Sequence, residues 1–246
     1  TDLYRFYGNA GDQMLVDVET IVGSPNVSVA WRVLDPDGVQ VLNPQGINWP
    51  NSFNEQLLTL PYSGAYTISV EASPDNSGPV DYRVQVQSAQ ETPLFLDQTI
   101  QGNLAFQGQI DRYSFTLGTA TTVTFDALTD GGVLWSLSGA DEDLVWPTPF
   151  WSADSAEKVG DAVGILGPGS YELTIRTGYG GEQGTYAFRL LDLSGAPQIA
   201  RDTPVIGQAA TGNETNAYRF AATAGERIGL HMESITGQQW LYWRVI

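Results

Sequence analysis

The stretch Asp111-Arg112-Tyr113-Ser114-Phe115 decides the fold of this chain, because versions of it occur three times. The others are Asp2-Leu3-Tyr4-Arg5-Phe6 and Asn216-Ala217-Tyr218-Arg219-Phe220, at intervals of roughly 105–110 residues, the length of a small domain. Each stretch alternates apolar and polar residues, which predicts a half-buried β-strand. We therefore expect tandem copies of one module, and tandem copies favour a repeated structural or binding unit over an enzyme.

An alternating run and a tryptophan-centred strand follow each opening stretch in the same order. The runs are Met14–Val18, Val123–Phe125 and Ile228–Met232, and the tryptophans are Trp31, Trp135 and Trp243. Because the tryptophans occupy equivalent strand positions, we predict that all three lie in a sandwich core. The Tyr and Phe of each opening stretch share one strand face and are predicted to be core as well.

The second half of the module occurs in two copies. Gly64–Val70 matches Gly169–Ile175, and Asp81–Val86 matches Thr185–Leu190. Clusters rich in Gly, Pro and Asn separate the two strands of each copy and predict hairpin connections. The stretch Asp35-Pro36-Asp37-Gly38 predicts a tight turn that leads into a further strand.

Copies two and three start with a leading strand, Leu94–Gly102 and Pro204–Gly212, which copy one lacks. The predicted boundaries are module 1 at 1–88, module 2 at 91–193, and the first half of a third module at 198–246. A half sandwich leaves an inner face and a strand edge open. Either the sequence is a window onto a longer array, or a neighbouring chain completes the half module.

Composition restricts the classes of function. The 246 residues contain 28 Asp and Glu, 11 Lys and Arg and no Cys, with a formal net charge of −17. A surface this acidic repels phosphates, so nucleic acid is not an expected partner. Disulfides, thiolate metal sites and cysteine nucleophiles are excluded. No apolar run reaches the roughly 20 residues that span a bilayer. Exported bacterial proteins often lack cysteine.

The order of these motifs resembles the bacterial pre-peptidase C-terminal domain family. The resemblance rests on Asp-x-Tyr-x-Phe, the alternating strand, the Asp-Pro-Asp-Gly turn, Gly-x-Tyr and the final x-Tyr-x-apolar strand, and it covers most of the chain. The predicted fold is all-β, with tandem jelly-roll-like or immunoglobulin-like antiparallel β-sandwich modules. The resemblance also implies secretion and a non-catalytic accessory role, such as carbohydrate or collagen binding, solubility or spacing.

Some members of this family bind calcium through acidic residues near the start of the module. The matching positions here, around Asp97 in copy two and Gly207 in copy three, supply few carboxylates. The remaining candidate calcium ligands are turn acids, namely Asp35, Asp37, Asp141 and Asp143. Turn acids also accept hydrogen bonds from nearby backbone N–H groups, so a purely structural role is the alternative.

No constellation of residues predicts catalysis. His231 is the only histidine, and without cysteines it cannot form an ordinary zinc site. A Ser–His–Asp triad would depend on this one residue, and the sequence has no Gly-x-Ser-x-Gly motif. We therefore expect no enzyme activity, no catalytic residue and no cofactor other than a calcium ion.

Aromatic residues in a repeated loop are the candidates for ligand or partner contact. Trp49-Pro50-Asn51-Ser52-Phe53 recurs as Trp146-Pro147-Thr148-Pro149-Phe150, which Trp151 follows. Rings on a rigid, proline-containing loop can stack on sugars or anchor a protein. The loop can equally fold back and cap its own sandwich. The expected partners are therefore neighbouring modules, protein subunits or carbohydrate.

These patterns together favour a non-catalytic structural or adhesive segment of a larger exported bacterial protein. Repeated rigid modules would add reach and avidity. Two alternatives stay open. One is a carbohydrate-binding accessory module that uses the Trp-Pro-x-x-Phe loops, and the other is a structural subunit of an envelope complex.

Overall fold

A computed structural model describes residues 1–20, 29–47, 55–76, 78–140, 142–153, 164–178, 181–210, 214–234, 236, 243 and 245. The chain divides into two compact units, Thr1–Glu91 and Thr92–Ile246. Helical structure in the described residues is confined to two short 3₁₀ turns, Phe150–Ser152 and Leu193–Gly195. No helix in this part of the chain is long and apolar enough to cross a membrane.

Module 1 is a sandwich of two antiparallel sheets. Its described strands are β1 (Asp2–Gly8), β2 (Gln13–Thr20), β3 (Val29–Leu34), β4 (Gln40–Ile47), β5 (Gln56–Thr59), β6 (Gly64–Ala72) and β7 (Tyr82–Ser88). The strand orders are β1-β6-β3-β4 and β5-β2-β7. One core joins the two sheets, because Trp31 and Ile68 of the first sheet pack in the same cluster as Val16 and Leu58 of the second.

Module 2 repeats this arrangement and adds strands at two edges. Its described strands are β8 (Glu91–Pro93), β9 (Ile100–Leu104), β10 (Ile110–Leu117), β11 (Thr121–Ala127), β12 (Leu134–Ser138), β13 (Asp143–Pro149), β14 (Ile165–Leu166), β15 (Gly169–Arg176) and β16 (Gly184–Asp192). The orders are β13-β12-β15-β10-β8 and β14-β11-β16-β9. Strands β10 to β16 correspond in order to β1 to β7, so the prediction of antiparallel β-sandwich modules is confirmed.

An aromatic stack crosses the core of module 2. The ring of Phe125 on β11 lies parallel to Trp135 on β12, with centroids 3.9 Å apart, and Phe188 on β16 stacks on Phe125 at 5.2 Å. All three residues are at most 1% exposed. Since β12 belongs to one sheet and β11 and β16 to the other, the stack joins both sheets. The prediction of a core tryptophan is confirmed for Trp135, and for Trp31 at 1% exposure.

The connection between the last two strands of each module is not a hairpin. Strands β6 and β7 lie in different sheets, and so do β15 and β16. The hairpin prediction is therefore wrong. Turn-forming residues allow the chain to reverse, but they do not determine whether the returning strand pairs with its neighbour or crosses to the opposite sheet. The apolar faces of both strands decide this, because each must be buried on its own side of the core.

The leading strand of module 2 begins later than the sequence predicts. Strand β8 ends at Pro93, Leu96 and Asp97 lie in a turn, and β9 begins at Ile100. Asp97 has a φ of 66°, in the left-handed region that an extended strand does not use. Of the strand predicted at 94–102, only residues 100–102 are strand, as part of β9, while β8 precedes the predicted range and pairs with the other sheet.

The described residues of 198–246 form no strand, and their pairing is a single bridge between Gln198 and Arg219. Ile206 is 98% exposed and Trp243 is 58% exposed, so the prediction of a core position does not hold for Trp243. The physical reason is that the strands of the first half of a module depend on partners from its second half. In module 2, β9 and β11 pair with β16, and β10 and β12 pair with β15. The segment 198–246 contains no counterpart of β15 or β16.

The aromatic residues of the opening stretch are less buried in module 1 than in module 2. Tyr113 and Phe115 are 6% and 7% exposed, whereas Tyr4 is 43% exposed and Phe6 is half-buried. The prediction that the Tyr and Phe are core residues is therefore confirmed in module 2 and is wrong for Tyr4. Module 2 has additional strands at this side of the sandwich, and the described residues of module 1 supply none.

We expect Phe125→Ala to lower the free energy of unfolding of module 2 by about 3–5 kcal/mol, because it removes the middle ring of a three-ring stack. Urea denaturation followed by circular dichroism measures the change. Phe95→Ala is the matched control, since Phe95 is 62% exposed and outside the core cluster. Equal effects of the two substitutions would contradict this account of the core.

Candidate functional site

The aromatic loop of module 2 places its three rings in different environments. Phe150 is fully buried, and it meets Phe125 edge to face at 5.4 Å and Tyr186 at 6.3 Å. Trp146 is 74% exposed on β13, and Trp151 is 60% exposed in the 3₁₀ turn that follows. Phe150 therefore caps the core rather than contacting a ligand, while the two tryptophans are presented to solvent. In module 1, Trp49 and Phe53 lie outside the described residues.

The outward position of Trp146 follows from the strand alternation of β13. Val145 packs against the core cluster, so the next residue points to the opposite face. The fold of the loop is held locally by Thr148, whose hydroxyl donates to the Trp146 carbonyl at 2.8 Å. Strand β13 is the edge of its sheet, which leaves the ring without a neighbouring strand on one side.

A row of polar side chains crosses the outer face of the sheet that carries Trp146. Ser136 on β12 is registered with Thr174 on β15, and Thr174 with Arg112 on β10. The hydroxyls of Ser136 and Thr174 are hydrogen-bonded at 2.6 Å. Arg112 Nε donates to Glu172 at 3.1 Å, and its Nη2 also bonds to this carboxylate. The face thus combines an exposed indole with hydroxyl, guanidinium and carboxylate groups.

One of the turn acids, Asp35, is used by the backbone. The carboxylate of Asp35, which is 5% exposed, accepts hydrogen bonds from the N–H groups of Asp37 and Val39 at 2.9 and 2.8 Å. Asp37 and Asp143 are exposed, and Asp141 lies outside the described residues. No group of three or more His, Cys, Asp or Glu in the described part of the chain is placed to hold a metal ion. Calcium binding through these acids stays a prediction.

Asp97 also serves the backbone. Its Oδ1 accepts from the N–H of Asp192 at 2.9 Å, and its own N–H donates to the Leu190 carbonyl at 2.9 Å. These bonds fix the chain where it turns from β8 to β9. The lone histidine, His231, is exposed in a segment that forms no strand.

The repeated acid of the opening stretch belongs to a hydroxyl cluster that sequence reasoning missed. In module 2, the Tyr186 hydroxyl donates to Asp111 Oδ2 at 2.5 Å and is 2.6 Å from the Tyr113 hydroxyl. Module 1 has the same trio in Tyr82, Asp2 and Tyr4. The signal was present in the sequence, because the final x-Tyr-x-apolar strand repeats this tyrosine at 82 and 186.

The cluster changes the ionisation of its tyrosines. Burial raises the pKa of Tyr186, and the hydrogen bonds of its hydroxyl to Asp111 and Tyr113 raise it further. Burial likewise raises the pKa of Tyr113. The pKa of Tyr82 is raised by burial and by its hydrogen bond to Asp2. Each hydroxyl therefore keeps its proton and acts as a structural donor.

A second polar group missed by sequence reasoning attaches the C-terminal segment to module 2. Asp126 on β11 is fully buried, and it accepts from Arg189 Nε at 2.6 Å and from the Thr215 N–H at 2.8 Å. Arg189 Nη2 donates to the Thr215 carbonyl at 3.2 Å. Burial raises the pKa of Asp126, and these bonds lower it in part. In module 1, the positions of Asp126 and Arg189 are taken by Asp17 and Gln85, which face each other on β2 and β7.

No family model matches the chain, and no curated protein does. Several solved structures are similar to part of it, including the following two. The pre-peptidase C-terminal domain of a collagenase from Bacillus anthracis is 20% identical, over 42% of this chain and 97% of that one, with a TM-score of 0.33. A periplasmic inhibitor of g-type lysozyme from Salmonella Typhimurium is 11% identical, over 42% and 99%, with a TM-score of 0.32. At these identities and TM-scores, neither structure indicates the function of this chain.

We expect stability to fall above about pH 10, where the tyrosines of the unfolded chain ionise. The raised pKa of Tyr186 and Tyr113 means that the folded state holds these protons more tightly, so stability is retained below about pH 10 and lost as pH rises towards the folded-state pKa. Tyr186→Phe should make this decline shallower. Urea denaturation at several pH values between about 8 and 11 measures it.

The same substitution should lower the free energy of unfolding at pH 8 by about 1–3 kcal/mol, since it leaves the Asp111 carboxylate without its buried donor. Tyr7→Phe is the control at pH 8, because Tyr7 is 78% exposed. A decline of unchanged slope in Tyr186→Phe would refute the assigned role of this hydroxyl.

Proposed function

We propose that this chain is a non-catalytic segment of a larger exported bacterial protein, in which β-sandwich modules act as a structural or adhesive array. The observation that supports it is the use of the repeated residues. Trp31 and Trp135 pack in the cores, and the trios around Tyr82 and Tyr186 join the ends of strands within each sandwich. These residues, which recur in both modules, build the sandwich.

The outer surfaces of the two modules differ, in contrast to their cores. Arg112 of module 2 forms an ion pair with Glu172. The equivalent positions in module 1 hold Leu3 and Thr67, which cannot form an ion pair. A ligand site repeated in each copy would need the same surface chemistry in each. A rigid body that is repeated for length or valence needs only the same core.

The acidic surface fits the proposed array. At a formal net charge of −17, copies of the chain repel one another, which limits self-association at high local concentration. Each sandwich can then serve as a rigid spacer that holds a neighbouring module or protein subunit at a distance. We place the array outside the cytoplasm, at the cell surface, in the extracellular medium or in the periplasm.

The test is the mass and location of the native polypeptide. An antibody raised against residues 1–246 should detect, in the extracellular or envelope fraction of the source cells, a chain much larger than 26.6 kDa. A band near that mass in the envelope would favour the alternative of a subunit whose partner completes the third copy. A band of that mass in the cytoplasm would refute the proposed function.

A second candidate, a carbohydrate-binding accessory module, is favoured by the exposed tryptophans. Trp146 and Trp151 are 74% and 60% exposed, an unusual position for two large aromatic rings that are five residues apart in sequence. The same sheet carries the polar row Ser136, Thr174 and Arg112. The two hydroxyls of this row bond to each other, and the Arg112 side chain, which is 10% exposed, pairs with Glu172. Sugars are recognised by this combination, in which rings cover the apolar face and polar groups bond to the hydroxyls.

We expect Trp146→Ala and Trp151→Ala each to weaken binding to an oligosaccharide by about tenfold or more, if the rings form the sugar platform. The probes are soluble fragments of cellulose, xylan and chitin, with quenching of tryptophan fluorescence and calorimetry as readouts. Phe95→Ala removes an equally exposed ring elsewhere on module 2 and is the control. Absence of binding to every probe, or equal loss in all three variants, would remove this candidate.

A further inference from the structure

A carboxylate is buried on the outer face of one sheet of module 2. The neighbours of Asp126 on β11, Phe125 and Ala127, belong to the core cluster, so Asp126 points away from the core. It is nevertheless fully buried. A carboxylate on the outside of a sandwich is normally solvated, and its burial is costly unless the charge is paired. Its cover in the structure is Arg189 on β16 together with the segment that contains Thr215.

The segment is held through the backbone of a single residue. The Thr215 N–H donates to Asp126 Oδ1 at 2.8 Å, and the Thr215 carbonyl accepts from Arg189 Nη2 at 3.2 Å. Hydrogen bonds to charged groups are stronger than those between neutral ones. Thr215 directly precedes Asn216, the first residue of the third opening stretch. Because both bonds use main-chain groups, Asp126 and Arg189 bind the chain at a defined position without selecting a particular side chain.

The connection that leads from β16 to copy three is itself ordered by hydrogen bonds. The Asp192 carboxylate accepts from the Ser194 N–H at 2.8 Å and so caps the 3₁₀ turn after β16. The Pro197 carbonyl accepts from the Arg219 N–H at 3.0 Å, and the Arg219 carbonyl accepts from the Ile199 N–H at 2.8 Å. A flexible linker would leave such backbone groups to water. The connection therefore has the properties of a folded junction.

Three arginines bond to main-chain carbonyls around this junction. One is Arg189, described above. Arg219 of the opening stretch donates through Nη1 to the Ser194 carbonyl of the 3₁₀ turn at 2.7 Å. Arg201 donates through Nη2 to the Ala221 carbonyl at 2.7 Å and so braces the start of copy three. The chain has 11 Lys and Arg against 28 Asp and Glu, so cations at this place offset the repulsion between two acidic bodies.

We propose that Asp126 and Arg189 form a docking site for the next copy of the module, and that the occupant is the start of that copy, residues 214–219. The junction then fixes the orientation of copy three on module 2. This inference deepens the proposed spacer function and rests on it, because fixed junctions make an array of modules a stiff rod, whereas flexible linkers would leave the modules free to reorient.

The test measures how freely copy three moves on module 2 in the whole chain of 246 residues. The sequence contains no cysteine, so two introduced cysteines can carry spin labels without other changes. Suitable exposed positions are Phe95→Cys on module 2 and Ala222→Cys just after the third opening stretch. Pulsed electron spin resonance should give a single narrow distribution of distances between the labels. A broad distribution in this otherwise unchanged chain would overturn the fixed junction.

The docking contact is tested from the side of the occupant, which leaves every residue of module 2 in place. Thr215→Pro removes the N–H that donates to Asp126. It should broaden the distance distribution and accelerate hydrogen exchange at the bonded amides of Ile199 and Arg219 by about tenfold. The matched variant Thr215→Ala retains both main-chain groups, so it should keep the narrow distribution and the slow exchange. Unchanged behaviour of Thr215→Pro, or equal loosening by Thr215→Ala, would overturn recognition through the backbone.

A second variant tests the site from module 2. Arg189→Gln gives β16 the residue that module 1 has at position 85, and it removes the guanidinium that binds the Thr215 carbonyl. The distance distribution should broaden, with circular dichroism as the check that module 2 stays folded. A narrow distribution in folded Arg189→Gln would contradict the assigned contact. Mobility of the junction would refute this inference and leave the spacer function standing, because that function is tested by the mass and location of the native polypeptide.

Discussion

Pairing between the two halves of the module is the constraint on which the structure depends. Strands β10 and β12 pair with β15, and β11 pairs with β16, while none of these three first-half strands pairs with another of the three. Module 1 follows the same rule with β6 and β7. Each sandwich is therefore complete only when its last two strands have formed. These two strands supply the backbone partners of the earlier strands.

Many of the residues repeated between the two modules serve this pairing of the sheets. The hydroxyl trios around Tyr82 and Tyr186 join opposite sheets, because they connect β1 with β7 in module 1 and β10 with β16 in module 2. The stack of Trp135, Phe125 and Phe188 does the same inside module 2. Many of the residues that recur therefore hold the two sheets together. Trp146 is an exception, because it matches Trp49 in the repeated loop and is exposed.

Much of the fold could be predicted, and the misses have one physical origin. The alternation around Tyr113 and the position of Trp135 are local signals, and both predict the strands and the core correctly. The inter-sheet connection after β15, the burial of Asp126 and the different environments of Phe150 and Trp146 depend on contacts with distant residues. No local pattern distinguishes them, because turn formers and aromatic residues are compatible with either outcome.

The sequence by itself determined where most strands of modules 1 and 2 lie, which face of each is apolar, and that one module recurs, because these follow from a period of two residues within short windows. Only the tertiary structure decided which strand edges are covered. Covering an edge requires segments far apart in the chain, such as β9 and β16, to meet at a register set by Gly102 and Tyr186. That choice depends on the shape of the assembled core, and this shape exists only after both sheets have packed.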